Sequence, residues 1–164
     1  MICRFKSAFL KIPSKKDWLD AAKLLTLYAL IYLPIGLNLG FLNLKIEAWQ
    51  TIVGVTAKSF FMPAISEELI FRGLLIPHPT ESCSKIIRQF WIVFSWFLFV
   101  VYHLHPFVPQ FFRTPAFLIG AGLLGIVCTS SYLRSGSLWT AIAIHWLIVN
   151  VWLLGLGGIS KFQN

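Results

Sequence analysis

Two carboxylates and a guanidinium stand together in a stretch that is otherwise oil. Ile65 to Gly73 reads ISEELIFRG, with Glu67, Glu68 and Arg72 inside it. A charge at the centre of a spanning helix costs roughly 2.5 to 3.5 kcal/mol on insertion scales, so three in one helix must face a bundle interior or a wet cavity. Adjacent helical residues differ by about 100° in azimuth, so the two glutamates point different ways. Glu68 and Arg72, four apart, share a face and can pair. The spacing predicts that Arg72 clamps Glu68 and locks the helix, leaving Glu67 to face a cavity as a general base that takes a proton from water. Spacing alone also permits the two glutamates to exchange roles.

Few other ionisable side chains lie deep in apolar segments: His103, with His105 nearby, and His145. At about 1.5 Å per residue from the ends nearer the basic segments, Glu67 lies about 15 Å in, His145 about 12 Å and His103 about 18 to 21 Å. All three fall near the middle of a hydrocarbon core about 30 Å thick. Three helices can thus bring a carboxylate and two imidazoles to one point, where neutral imidazoles orient water or protonate a leaving amine. The same three residues also satisfy a His₂Glu zinc pattern with a position left for water. No H-E-x-x-H places two ligands on one helix, so direct activation of water is preferred, with Zn²⁺ held by Glu67, His103 and His145 as the alternative.

The elements that must position these groups are membrane helices. The chain has 164 residues, is 57% hydrophobic and 12% charged, with mean hydropathy +0.76, against about 25% charged residues in an ordinary soluble domain. An all-α, polytopic integral membrane bundle follows, one domain over residues 1–164. About five spans are expected, near 23–44, 49–77, 89–109, 115–134 and 137–159. Pro63, four residues before Glu67, removes a helix hydrogen bond and should kink the second span. With alternating spans, Arg4, Lys6, Lys11, Lys15, Lys16, Lys85, Arg88 and Arg134 fall on one side and only Lys45, Arg113 and Lys161 on the other. The positive-inside rule makes the N-terminus cytoplasmic.

The net charge of +8 reflects that basic segment, residues 1–22, which suits a lipid surface and excludes a nucleic-acid partner. The first apolar run is too long for a signal h-region and lacks an A-x-A-type site, so it is expected to remain in the membrane. Cys3, Cys83 and Cys128 are scattered without metal-ligand spacing and predict no disulfide framework. Bland readings accompany the chemical ones. A buried Glu–Arg pair can be only a clamp, and a membrane histidine is often an interhelical hydrogen-bonder. His105 belongs near an interface and His78, between Pro77 and Pro79, in a loop. Lys58 snorkels or pairs, and Gly120, Gly122 and Gly125 permit close helix packing.

The run EExxxR (Glu67, Glu68, Arg72), then FxxxH (Phe99 to His103), then a helix carrying His145, resembles the CPBP family of intramembrane proteases. That family includes the type II CAAX prenyl endopeptidases and Abi proteins linked to bacteriocin processing or self-immunity. The resemblance implies a catalytic core over 49–159, in a multi-pass protein of a bacterial-type plasma membrane. It also implies a membrane-embedded site open to the cytoplasm, where glutamate-activated water hydrolyses a peptide bond of a membrane-associated peptide or protein. Glu67, Glu68, His103 and His145 take the family's catalytic positions, Arg72 supports them, and no cofactor is implied. The family's third motif commonly reads HxxxN, its Asn stabilising the oxyanion. Here Val149 stands four after His145 and Asn150 five after, about 100° away. Asn150 reaches the site only if a π-bulge intervenes. The alternative reading is a non-catalytic peptide-binding or immunity protein on the same scaffold.

Overall fold

The computed structural model describes residues 2–163, with the backbone alone at residues 2 and 3. The Cys3 side chain therefore lies outside the described residues. Helix α1 is Ile2–Leu10, α2 Lys15–Asn38, α3 Trp49–Ser59, α4 Ser66–Glu68, α5 Lys85–Tyr102, α6 Pro115–Ser135 and α7 Leu138–Gly155. No strand occurs among the described residues. Among the described residues, four helices, α2, α5, α6 and α7, are long and apolar enough to cross a membrane.

The fifth expected span, 49–77, is not one helix. After α3 the chain leaves helical geometry at Met62 (φ −139°, ψ 113°) and re-enters through π-helical turns at Phe60–Ile65 and Leu69–Leu74 that flank α4. Pro63 accounts for the break, because its ring disfavours the α conformation at the residue before it and it has no N–H to donate. The sequence predicts a kink and the structure has an interruption, one turn before Glu67.

Helix ends are set by caps rather than by hydropathy. The Ser14 hydroxyl accepts from the Asp17 N–H at 3.3 Å while Asp17 accepts from the Ser14 N–H at 2.8 Å, a capping box. It starts α2 at Lys15, eight residues before the expected 23. Ser84, Thr114 and Ser137 cap α5, α6 and α7 through the hydroxyl alone, each accepting from a first-turn amide.

Helix α6 is the central post, packing on α2, α5 and α7. Its small residues allow this. A Cβ added at Gly120 would come within 2.5 Å of the Tyr32 ring, and the Tyr32 hydroxyl donates to the Ala116 carbonyl at 3.0 Å. Helix α1 is no loose basic arm. Ala8 is fully buried, Trp139 Nε1 donates to Phe9 O at 2.8 Å and Ser137 Oγ to Lys11 O at 2.6 Å, and Arg4 grips Glu81 through two nitrogens at 2.7 and 2.6 Å. These contacts gather α1, the 75–84 turn and the α6–α7 turn at one end of the bundle. At the other end the Asn43, Lys45 and Glu47 amides donate to the carbonyls of Leu156, Gly155 and Leu154, and Phe111 packs edge-on against Phe162.

Candidate active site

The π-helical geometry around α4 turns Glu68 and Arg72 fully inward, both with no exposed surface. Arg72 Nη1 donates to Glu68 Oε1 at 2.9 Å, Nη2 to the Gly125 carbonyl at 3.0 Å and Nε to Thr129 Oγ1 at 3.3 Å. Its guanidinium also lies 4.6 Å from the Phe99 ring centroid. The cation is therefore satisfied on three sides by α4 and α6 and covered on the fourth by α5, which is what burial of a guanidinium requires. Phe71, next to it, has its carbonyl taken by the Ser95 hydroxyl.

His145, on α7, is 2% exposed. Its Nδ1 lies 2.8 Å from Glu68 Oε1. A carboxylate accepts there, so Nδ1 carries the proton and Nε2 faces away from Glu68. Nε2 looks toward Glu67, whose Oε2 is 3.8 Å away. Glu67, His145 and His103 all line one cavity of about 680 Å³ whose remaining walls are largely apolar, among them Phe99, Phe117 and Trp152. His103 enters from a different position than its sequence suggests. It caps the C-terminal end of α5 rather than lying mid-helix, and its Nδ1 donates to the Phe99 carbonyl at 2.8 Å. The Phe99 ring stands beside both imidazoles, with its centroid 5.2 Å from His103 and 6.1 Å from His145.

Asn150 lies apart from this group. Helix α7 runs through it as continuous α-helix, without the π-bulge that would turn it toward His145. Its amide nitrogen donates to Ser59 Oγ at 3.0 Å and to Trp146 O at 2.7 Å, and its buried Oδ1 has no partner. Val149, not Asn150, lines the cavity. His105 accepts the Phe107 amide at 2.9 Å in the loop after α5. His78 sits in the expected loop but is buried, its Nε2 donating to the Gly136 carbonyl at 2.9 Å.

Metal-binding potential falls on a different trio from the expected Glu67, His103 and His145. Among the described residues, Glu68, Cys128 and His145 offer ligand atoms within 4.8 Å of one another. The fit is poor. Glu68 Oε1 already accepts from both Arg72 and His145, and a guanidinium 2.9 Å from a ligand oxygen repels a divalent cation. The sequence reading missed Thr129, Cys128 and the Gly125 carbonyl as the floor of this cluster. Their only trace is a set of small polar residues recurring within an apolar helix.

Fold and site together define a polytopic helical membrane protein with a buried Glu–Arg–His cluster at the head of an apolar cavity. The family model for type II CAAX prenyl endopeptidase Rce1-like proteins matches residues 48–151. The chain belongs to that family of CAAX-type intramembrane proteases. No curated protein and no solved structure matches it significantly.

Proposed function

We propose that this chain is an intramembrane endopeptidase that hydrolyses peptide bonds with water activated by Glu67. The observation that carries the reading is the division of the paired glutamates. Glu68 is spent on Arg72 and His145, whereas Glu67 faces the cavity with Oε2 3.8 Å from His145 Nε2. A water held between those two groups loses a proton to the Glu67 carboxylate as its oxygen adds to the scissile carbonyl carbon. The proton then passes to the leaving amine as the C–N bond breaks. Glu68 holds the His145 ring in one orientation through Nδ1, a positioning role, and His103 lies close enough in the same cavity to contact substrate. The chemistry needs no metal, and the Arg72 guanidinium 2.9 Å from Glu68 Oε1 supports a metal-free site over a zinc one. The substrate is a membrane-associated peptide or protein with an apolar stretch, in a bacterial-type plasma membrane. A prenylated CAAX terminus is not required by anything in the cavity.

The test compares the native protein with Glu67→Gln in purified proteoliposomes against a peptide library, alongside the membrane peptides that accumulate uncut in cells carrying the variant. Loss of cleavage with an intact fold is expected; cleavage at the native rate by the variant overturns the assignment. The second reading, a peptide-binding or immunity protein that does not cut, is favoured by the engagement of Asn150 elsewhere. It predicts binding of cavity-sized apolar peptides by both forms and cleavage by neither.

A further inference from the structure

When a water activated by Glu67 adds to a peptide carbonyl, the π pair moves onto the carbonyl oxygen, and that developing charge needs a hydrogen-bond donor in a dry site. Asn150 does not supply one, since its amide is spent on Ser59 and Trp146. Neither imidazole does. His145 donates from Nδ1 to Glu68 and His103 from Nδ1 to the Phe99 carbonyl, so in each neutral ring Nε2 carries a lone pair and can only accept. Among the cavity hydroxyls, Ser59 donates to the Thr56 carbonyl at 3.2 Å and Tyr32 to the Ala116 carbonyl at 3.0 Å. Thr51 stands in the first turn of α3, at the end remote from Glu67, and Lys58 is an exposed side chain rather than part of the dry wall.

Tyr28 is different. It is 7% exposed and lines the same cavity as Glu67 and His145, yet its hydroxyl makes no hydrogen bond among the described residues and is not sealed in protein as the unpartnered Tyr132 hydroxyl is. A second hollow on its other side, between α2 and α7, is almost entirely apolar, so the hydroxyl opens on the cavity. Helix packing sets its depth. Helices α2 and α6 run antiparallel: Tyr32 meets Ala116 near the start of α6, while Lys11, before α2, meets Ser137, after α6. One turn back from Tyr32, Tyr28 lies one turn further along α6, toward Leu124, which lines the cavity next to Gly125, whose carbonyl holds Arg72. On the α7 side it shares a wall with Ile148, about one turn after His145.

We propose that Tyr28 is a further catalytic residue, whose O–H donates a hydrogen bond to the scissile carbonyl oxygen as it becomes an oxyanion. The phenol keeps its proton throughout. Glu67 takes the proton of the water and passes it to the leaving amine, and the carbonyl re-forms as the C–N bond breaks. The inference rests on the proposed peptidase reading.

The test uses the native protein, Glu67→Gln and Tyr28→Phe in proteoliposomes, with a library peptide that the native protein cleaves. Tyr28→Phe removes one oxygen that no protein group bonds, so it should melt with the native protein, whereas Tyr32→Phe, which loses the bond to Ala116, should melt lower. Its kcat should fall about 10²- to 10³-fold with KM near native. A phosphonamidate analogue of the same peptide, whose anionic oxygen stands where the oxyanion forms, should bind Tyr28→Phe more weakly by a similar factor. The uncut peptide should bind the Glu67→Gln, Tyr28→Phe double variant as tightly as Glu67→Gln, a separation that a merely structural tyrosine would not produce. A native kcat in Tyr28→Phe with Glu67→Gln inactive overturns the Tyr28 assignment and leaves the peptidase reading intact, and so does an equal loss of affinity for analogue and peptide. A clear drop in melting temperature shows that the hydroxyl is bonded within the folded chain and also overturns it. If the native protein cleaves no peptide, or Glu67→Gln cleaves at the native rate, the peptidase reading falls and the role of Tyr28 falls with it.

Discussion

Glu68 Oε1 accepts two hydrogen bonds at once, from Arg72 Nη1 at 2.9 Å and from His145 Nδ1 at 2.8 Å. One oxygen thereby joins three elements, α4, the following π-helical turn and α7. Since all three side chains are nearly or fully removed from solvent, each partner stabilises the others by hydrogen bonds that water cannot replace. The ring that faces Glu67 is aimed by a carboxylate that never meets the cavity.

Arg72→Ala should lower stability by about 3 to 5 kcal/mol, because it strands the Glu68 carboxylate in a dry interior and removes the bonds to Gly125 O and Thr129. Thermal unfolding in detergent measures it. Arg72→Lys should recover little, since a single ammonium cannot reach three acceptors in a plane. A variant of native stability contradicts the clamp.

Chelators should leave peptidase activity unchanged, and added Zn²⁺ should not raise it. Of the ligand atoms that lie close together, on Glu68, Cys128 and His145, Glu68 Oε1 already accepts from Arg72 and His145 and the Cys128 thiol donates to the Ala141 carbonyl. Activity lost to a chelator and regained with zinc would reverse this.

Asn150→Ala should cost about 0.5 to 1.5 kcal/mol of stability by removing its bonds to the Trp146 carbonyl and to the Ser59 hydroxyl, which keeps its own bond to the Thr56 carbonyl, while kcat of the folded protein stays near native. A drop of about 10² to 10³ in kcat would instead mark it as an oxyanion donor, with its amide turning into the cavity during turnover.

The all-helical membrane class was legible because composition and apolar run length dictate it, and the Glu68–Arg72 pair because i,i+4 spacing is local geometry. Positions set by tertiary packing were not legible. The second span reads as one helix until Met62 is forced extended before Pro63. His103 reads as mid-span because an apolar run continues past it, whereas the helix ends at Tyr102. The basic first residues read as a segment suited to a lipid surface, since no local pattern announces that Arg4 meets Glu81 or that Trp139 meets Phe9 O.

Gly125→Ala tests the floor of the cluster. The new methyl would lie 2.9 Å from Trp96 Cδ1 and 3.3 Å from Phe99 Cδ1. Phe99 is fully buried against Arg72 and His103, so it has little room to yield. A loss of about 1 to 3 kcal/mol in stability is expected, together with reduced activity as the displaced ring moves both imidazoles. Gly122→Ala, whose added Cβ would make only ordinary contact at 3.7 Å with Trp96, should be near neutral and serves as the control.

The last prediction concerns pH and the docking of α1. Arg4 holds the Glu81 carboxyl below the usual carboxylate range through their side-chain hydrogen bonds, and the Arg4 guanidinium is correspondingly raised. A carboxyl that is more acidic in the folded chain than in the unfolded one stabilises the fold at pH values above the unfolded value, and that contribution disappears as pH falls through the folded value. The α1 anchor should therefore be complete at neutral pH and weaken in acid below the ordinary carboxylate range. Both side chains are partly exposed, at 20% and 36%, so the effect on global stability is small, and the readout must be local. Amide exchange over 2–10 should be slow at neutral pH and should rise in acid beyond the intrinsic rate change. Glu81→Gln should show the faster exchange already at neutral pH and lose the extra acid response. If exchange in Glu81→Gln matches the native protein at neutral pH, the Arg4–Glu81 pair does not hold α1, and the contacts at Phe9 and Lys11 alone keep it in place.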